Sequence, residues 1–282
     1  MPSTRRSFLA LSAMLPWAFT ARASTSIPVG LELYSVRETL KKDPEATLRA
    51  VAQMGYEGVE FYAPYFDWTE NQTKQIRKLL DDLGIRCFST HNDESYLSPQ
   101  NIGRTRDMNL ILGSKYVVLA SAGQKTSLTE WRSVADTLNN AAEKLEPAGL
   151  KAGYHNHQLE FKPIAGQRPI EILAKNTKPS IMLQLDVGTC VEADVDPIGW
   201  INANPGRIRS LHLKDWTAGT GTAPDKGYAV LFGEGDAPWA KIFEAAERRG
   251  GVEYYLLEQE GSRFSPMETA ERCLAAYKKM HG

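Results

Sequence analysis

Five apolar runs along this chain each end in side chains that carry a charge or an imidazole. A loop and then a helix-like pattern follow each run. The polar residues that end the five runs are Glu60, His155 with His157, Asp186, His212 with Lys214, and Glu258 with Glu260. A buried parallel strand has no place for a charge in its middle, but its carboxyl end opens onto solvent. Repeated strand–helix units of this kind predict an α/β fold, a (β/α)8 TIM barrel, with its active site at that end.

The apolar pattern divides into eight strand–helix units. Predicted strands cover residues 29–34, 58–62, 85–90, 116–120, 151–154, 181–185, 208–213 and 254–257. Predicted helices cover residues 44–54, 70–83, 99–112, 128–145, 169–175, 197–203, 238–249 and 266–280. Glycine after a helix and before the next strand favours a parallel sheet with crossovers. An open doubly wound sheet is the alternative, but no glycine-rich phosphate turn follows the first strand.

Residues 1–23 are predicted to be a signal peptide rather than part of the fold. The stretch Arg5-Arg6-Ser7-Phe8-Leu9 begins an apolar run too short to cross a bilayer, and Ala21-Arg22-Ala23 is typical of a cleavage site. The paired arginines followed by Phe-Leu favour the twin-arginine (Tat) route over a general secretory signal or an uncleaved anchor. We therefore expect a periplasmic protein whose residues 24–282 form a single domain.

Charge and composition narrow the expected partners. Removing residues 1–23 takes away three arginines and no acid, so the formal net charge falls from −1 to −4. The chain has no basic stripe, which disfavours nucleic acid as a partner. We expect a small sugar-like substrate and no membrane contact after signal removal, and we leave a homo-oligomer open.

Three of the strand-end residues have the chemistry of metal ligands. Asp186, His212 and Glu258 follow three consecutive predicted strands. Taken singly, each has an ordinary explanation, as a helix cap, a hydrogen-bonded core histidine and an arginine partner. Together, two carboxylates and an imidazole predict one divalent metal ion, which the sequence leaves open among Mn²⁺, Mg²⁺, Co²⁺, Fe²⁺ and Zn²⁺.

Seven sequence stretches span nearly the whole mature chain: GLELYSVR, GYEGVEFY, AGYHNH, LQLDVGT, LHLKD, GEGDAPW and YYLLEQE. In these stretches the chain resembles the xylose-isomerase-like TIM-barrel superfamily of sugar isomerases and epimerases, which also includes inosose dehydratases and endonuclease-IV-type enzymes. The resemblance implies a divalent metal held by Glu, Asp, His and Glu after strands five, six, seven and eight. The last three of these ligands correspond to Asp186, His212 and Glu258.

Strand five departs from the pattern of that superfamily. Its usual Leu-Glu-Asn-His is Tyr154-His155-Asn156-His157 here, so His155 stands where the resemblance implies a glutamate. The symmetric pair of glutamate bases implied for isomerases and epimerases is therefore missing. Either His155 or Glu160, five residues further on, completes the predicted metal site.

The remaining candidate residues surround the predicted metal. We expect Glu258, His157 and Lys214 to act in catalysis. We expect Glu60, His91 and Glu160 to bind substrate hydroxyls. Structural hydrogen bonds or salt bridges are the competing explanations for Glu60, His91 and Lys214, and a surface charge is the competing explanation for Glu160.

These residues suggest an isomerase- or epimerase-type enzyme that depends on a divalent metal and acts on a sugar or polyol. Its reaction would pass through an enediolate after proton abstraction next to a carbonyl. One alternative is a keto-sugar lyase or hydrolase, for example on a 3-keto-glycoside, or a dehydratase on the same scaffold. Another is a non-catalytic periplasmic sugar-binding protein. The predicted export signal and the missing basic groove oppose a DNA repair nuclease.

Overall fold

Eight parallel strands close into a barrel in sequence order, which confirms the (β/α)8 prediction. The structure is a computed structural model that describes residues 27–222 and 226–281, so the predicted signal peptide lies outside the described residues. The strands are β1 (Val29–Glu32), β2 (Gly58–Phe61), β3 (Arg86–Asn92), β4 (Tyr116–Leu119), β5 (Lys151–His155), β6 (Met182–Asp186), β7 (Ser210–Leu213) and β8 (Tyr254–Leu257).

The helices lie between the strands and cover the outside of the barrel. They are α1 (Arg37–Lys42), α2 (Pro44–Met54), α3 (Glu70–Leu83), α4 (Ile102–Leu112), α5 (Leu128–Leu145), α6 (Pro169–Asn176), α7 (Val187–Glu192), α8 (Pro197–Ala203), α9 (Trp239–Ala245) and α10 (Pro266–His281). A π-helical turn, Ala246–Gly250, continues α9. Within the described residues, no helix combines the length and the hydropathy needed to cross a membrane.

Local capping explains why several helices begin and end where the sequence predicts. The Asp43 side chain accepts a 2.9 Å hydrogen bond from the Ala46 amide, and Pro44 occupies the first turn of α2. A capping box between Thr69 and Gln72 begins α3. Gly84 ends α3 with a φ of 68°, a left-handed conformation that glycine adopts without strain.

The sequence prediction was wrong at two strand ends. Residues 33–34 belong to a 3-10 turn, Leu33–Val36, because the Glu32 side chain accepts a hydrogen bond from the Tyr34 amide and turns the chain. The short helix α7 was also missed, and it begins directly after Asp186, whose carboxylate caps it. Both turns follow the carboxyl ends of strands, where a strand-end side chain redirects the backbone.

Side chains inside the barrel form two layers. The first, which we call the apolar layer, lies toward the amino ends of the strands and consists of Phe88, Tyr116, Val118, Met182, Tyr254 and Leu256. The second, which we call the polar layer, lies nearer the carboxyl ends and consists of Glu60, His91, His155, Gln184, His212 and Glu258. Side chains on a strand alternate between its two faces, so residues two apart in one strand both face the barrel interior.

Phe88 fills the apolar layer because two neighbouring strands carry glycine. A Cβ at Gly58 would lie 2.4 Å from the Phe88 ring, and one at Gly30 would lie 2.9 Å from it. A register shift between Val59 and Glu60, where β2 pairs with β3, accompanies this close approach. The packed apolar layer forms the base of the barrel beneath the polar layer.

Candidate metal centre

Four side chains of the barrel converge on one point at its carboxyl end. Each of them offers one ligand atom, and these atoms all lie within 4.8 Å of one another: His155, Asp186, His212 and Glu258. All four are buried. They come from the ends of β5, β6 and β7 and from the residue after β8, and the register aligns Asp186 with His212 on adjacent strands. The strand-end positions seen in the sequence are therefore close together in space.

His212 lies between two carboxylates. Its Nδ1 is 2.5 Å from Glu258 Oε2, and its Nε2 is 2.7 Å from Glu60 Oε1. Burial alone would lower the pKa of His212, but the charges of Glu60 and Glu258 raise it to about 10. Burial would conversely raise the pKa of Glu60, but His91 and His212 lower it to about 2. Glu60 is therefore an ionised acceptor that holds the Nε2 proton of His212, and Nδ1 faces the converging group.

Gln184 determines which nitrogen of His155 carries a proton. Its amide nitrogen faces Glu60 Oε2 at 3.0 Å, and an ionised carboxylate can only accept, so this end of the amide must be the donor. Its oxygen then accepts from His155 Nδ1 at 3.1 Å and from His91 Nε2 at 2.8 Å. His155 therefore turns an unprotonated Nε2 toward Asp186 Oδ2, 3.8 Å away. Burial, reinforced by the neighbouring charge on His212, lowers the pKa of His155 well below its ordinary value and keeps the ring neutral.

Asp186 has one carboxylate oxygen without a hydrogen-bond donor. Oδ1 accepts from the Thr189 amide at 2.9 Å, whereas the buried Oδ2 finds no partner among the described residues. Burial raises the pKa of Asp186 to about 6, against the opposing effect of Lys214. An unpaired carboxylate oxygen is costly to bury. Next to an imidazole lone pair and a second carboxylate, it fits a divalent cation.

Lys214 connects the metal centre to the barrel mouth. Its Nζ donates to Glu260 Oε1 at 2.9 Å and lies 3.5 Å from Glu258 Oε1. Arg37 holds the other oxygen of Glu260 at 3.1 Å. Burial would lower the pKa of Lys214, but Glu258 and Asp186 raise it above the ordinary value of lysine. The ammonium group therefore stays charged beside the converging ligands.

A cavity of about 690 Å³ is lined in part by Lys214. Polar and aromatic side chains line it, among them His157, Thr189, Lys214, Trp216, Tyr228 and Glu260. In the described parts of the chain, His157 Nδ1 and Trp216 Nε1 are buried atoms without a hydrogen-bond partner. Donors and acceptors left free in this way suit a small molecule with several hydroxyl groups.

The three residues predicted to bind substrate hydroxyls, Glu60, His91 and Glu160, make polar contacts within the protein. Glu160 is outside the ligand cluster, because Tyr154 Oη donates to one of its oxygens at 2.5 Å and the His157 amide donates to the other at 2.9 Å. Glu60 is fully buried and His91 nearly so, and both belong to the network around Gln184. The expectation that these three bind substrate hydroxyls stays a prediction, and in this structure their polar atoms bond to other residues of the protein.

Sequence reasoning missed Gln184. The available signal was its position, because it is a polar residue two before Asp186 in an otherwise apolar strand and so faces the barrel interior like Asp186. Its partners could not be read from that position, since Glu60, His91 and His155 come from three other strands.

The model of the family described as "Xylose isomerase-like TIM barrel" matches residues 48–280 of this chain. The chain belongs to this family. Among curated relatives, it is 26% identical to inosose dehydratase from Clostridium beijerinckii, with 61% of this chain and 63% of the relative covered. It is 23% identical to 3-dehydroshikimate dehydratase from Pseudomonas aeruginosa, with 73% of this chain but only 32% of that relative covered. The chain thus spans less than two thirds of either enzyme.

Solved structures show the same fold. A sugar phosphate isomerase/epimerase from Parabacteroides distasonis is 26% identical with a TM-score of 0.76, covering 92% of this chain and 98% of the other. A zinc-binding IOLI protein is 18% identical with a TM-score of 0.67, covering 90% and 96%. These named relatives support the prediction that the family scaffold is that of an enzyme.

Proposed function

We propose that this protein is a metal-dependent enzyme that removes the proton next to the carbonyl of a keto-sugar or cyclic keto-polyol, and that elimination follows. The observation that carries the proposal is the convergence of His155, Asp186, His212 and Glu258 beside Lys214, which lines a polar cavity. The dehydratase names of two curated relatives favour elimination.

Four residues are suited to hold the metal: His155, Asp186, His212 and Glu258. The zinc of the IOLI neighbour supports a divalent ion in such a barrel. When bound, the ion supplies a Lewis acid that polarises a substrate carbonyl. Truncation of any one of these four residues would weaken binding of the ion at the site.

His157 is the better candidate for the base. Both oxygens of Glu258 have polar neighbours, His212 on one side and Lys214 on the other, whereas His157 Nδ1 has no partner among the described residues. A neutral His157 takes the proton from the carbon next to the carbonyl. The C–O bond at the adjacent carbon breaks, and the departing oxygen takes the proton back from His157. The products are an unsaturated ketone and water or an alcohol, and His157 ends neutral as it began.

Lys214 stabilises the charge that develops during proton removal. Lys214 lines the cavity, and its ammonium group can donate to a carbonyl oxygen as that oxygen becomes an enolate. Glu258 and Glu260 fix its position through the contacts described above.

Epimerisation or isomerisation is the second candidate. The Parabacteroides structure named as an isomerase/epimerase favours it, and its first step is the same. The distinction lies in strand five, where His155 removes the second carboxylate base. We therefore expect weak epimerisation of free ketohexoses.

Incubation in D₂O separates these candidates. Metal-loaded protein would be mixed with 3-keto-glycosides, inososes and ketohexoses, and deuterium and products followed by NMR and mass spectrometry. We expect exchange and elimination with the first two classes. His157→Asn should slow both by about 10²–10⁴-fold while metal content stays constant. Rapid ketohexose epimerisation without elimination would favour the second candidate, and no exchange with any substrate would contradict the enolate step.

We also propose that residues 1–23 direct export to the periplasm by the twin-arginine route, because Arg5 and Arg6 precede Phe8-Leu9 and a short apolar run. Replacing Arg5 and Arg6 together by Lys should stop export, with the protein still folded in the cytoplasm. Cell fractionation measures the distribution. Normal periplasmic accumulation of the double variant would contradict this route.

A further inference from the structure

The strand-five histidine is matched to an amide partner that a carboxylate at the same position could not use. His155 Nδ1 donates to Gln184 Oε1 at 3.1 Å, and this leaves Nε2 free beside Asp186. We propose that the His155–Gln184 pair makes the metal centre selective for borderline transition metals, Zn²⁺, Co²⁺ or Fe²⁺, over Mg²⁺ and Mn²⁺. This inference rests on the metal site of the proposed function and goes further by naming what selects the ion.

The donor set gives the chemical reason. The four ligand residues offer two imidazole nitrogens and two carboxylates, so the ligands carry two negative charges that one divalent ion balances. A glutamate in place of His155 would bring a third negative charge and a third oxygen donor. Oxygen donors suit Mg²⁺ and Mn²⁺, whereas imidazole suits Zn²⁺, Co²⁺ and Fe²⁺. The substitution seen in strand five therefore changes which ion the centre prefers.

Gln184 acts as a positioning residue in this scheme. Its amide nitrogen is held by Glu60 at 3.0 Å, so the amide cannot turn over without placing its oxygen against a carboxylate. The oxygen must face a donor, and the Nδ1–H of His155 supplies one. A carboxylate at position 155 would face that oxygen without a proton to share. The two residues therefore act together to present Nε2 to the ion.

Glu60 fixes the tautomer of His212, the second histidine ligand. It accepts from His212 Nε2 at 2.7 Å and leaves Nδ1 to face Glu258 and the metal position. One connected group, Glu60 with Gln184, thus fixes the tautomers of both histidine ligands. Partners of this kind change metal affinity by about 10–100-fold when removed.

Competitive metal uptake tests the proposal without any activity assay. Metal-free protein would be dialysed against equal concentrations of Zn²⁺, Co²⁺, Mn²⁺ and Mg²⁺ in a weakly chelating buffer, and bound metals measured by elemental analysis. Zn²⁺ outcompetes Mn²⁺ at most protein sites, so the informative quantity is the change between variants. We expect His155→Glu to raise the ratio of Mn²⁺ and Mg²⁺ to Zn²⁺ and Co²⁺ by at least about tenfold.

His157→Glu is the matched control. It makes the same exchange of imidazole for carboxylate two residues along the chain, at a residue that is not in the ligand cluster. The proposal expects its metal ratio to stay within about twofold of the wild type, because nearby charge alone does not change the donor set. An equal change in both variants would overturn the proposal, and so would identical ratios in wild type and His155→Glu.

If His155→Glu does not fold, Gln184→Met tests the role of the His155–Gln184 pair instead. Methionine has a similar length but offers no amide oxygen, so His155 loses the acceptor that fixes its tautomer. We expect Zn²⁺ affinity to fall about 10–100-fold and the visible spectrum of the Co²⁺ form to change. Unchanged affinity and spectrum would overturn the role of the pair. Wild-type protein that binds none of the four ions would reject the metal site of the proposed function as well, an outcome distinct from binding without selectivity.

Discussion

The apolar and polar layers occupy the same barrel but differ in their physical role: one packs apolar side chains, and the other buries charged and polar ones. Met182 belongs to the apolar layer, and Gln184, two residues further along β6, belongs to the polar layer. The apolar layer excludes water and fills space, with the Phe88 and Tyr254 ring centroids 5.0 Å apart. The polar layer buries carboxylates and imidazoles that satisfy one another only in part. The strand alternation that builds one layer also supplies the other.

The difference is visible in the atoms that lack partners. Five of the buried side-chain atoms without a hydrogen-bond partner in the described residues lie on residues that end or follow strands at the mouth: Glu32, Ser35, His157, Asp186 and Trp216. At the opposite end, Glu253 accepts from Tyr116 Oη at 2.9 Å and pairs with Lys115 and Arg209. Unsatisfied groups lower stability, so their concentration at one end supports the placement of the candidate site there.

The largest expected effect is loss of metal from the ligand cluster, which joins Asp186 to three residues of the polar layer. Asp186→Ala, His212→Ala and Glu258→Ala each remove a converging ligand atom, and we expect each to weaken metal binding by at least about a hundredfold. Elemental analysis of protein purified without chelators measures it, together with the loss of metal-linked thermal stabilisation. If all three variants keep stoichiometric metal, the site lies elsewhere.

Phe88→Ala tests the apolar layer by opening a void at the base of the barrel. We expect it to lower the free energy of unfolding by about 3–5 kcal/mol, through lost packing and a residual cavity. Urea unfolding of the metal-free protein measures this. The folded variant should still bind one metal ion, because none of the four ligand residues belongs to the apolar layer. Leu110→Ala, at a side chain that is 48% exposed, is the control and should change stability by about 0.5 kcal/mol or less.

Gly58→Ala tests the apolar layer by overfilling it. The added Cβ would lie 2.4 Å from the Phe88 ring, so we expect a loss of about 1–3 kcal/mol in unfolding free energy. Phe88→Leu in the same protein should recover part of that loss. Gly103→Ala is the matched control, since no atom lies within 4 Å of its added Cβ and the residue is in α4. A loss equal to that of Gly58→Ala would contradict the steric explanation.

The smallest effect is expected from an ion pair outside both layers. Arg263 donates to both oxygens of Glu234 at 2.8 Å, and these hydrogen bonds lower the pKa of Glu234 to about 2 despite some burial. A carboxylate with a depressed pKa stabilises the fold above its unfolded pKa, near 4.5, and loses that contribution as the pH falls toward 2. Arg263→Ala should therefore lower the Tm by about 2 °C or less at pH 7, and by less still at pH 3.5. A difference that grows with acidification would contradict this assignment.

Much of the fold follows from local sequence patterns. The predicted bounds of β8, α5 and α8 agree with the structure, because each element has a clear apolar pattern and a turn or cap signal at its ends. Strand-end polarity also singled out Asp186, His212 and Glu258, whose closeness follows from the common direction of parallel strands. Alternation and strand direction are properties of the chain itself, so sequence alone determined them.

Only the tertiary structure decided which side chains of the polar layer form hydrogen bonds with one another. Glu60 and His212 are separated by 152 residues, and His91 and Gln184 by 93, yet each pair is joined by a hydrogen bond across the barrel. No local pattern encodes such contacts, because they depend on which strands closure brings face to face. Closure of the barrel brought Glu60 into contact with His212 and Gln184. It also placed Gln184 beside His155, which fixes the tautomer of that histidine. The sequence by itself therefore determined the barrel and the end at which the candidate site lies, and tertiary packing determined the partner and the protonation of each group there.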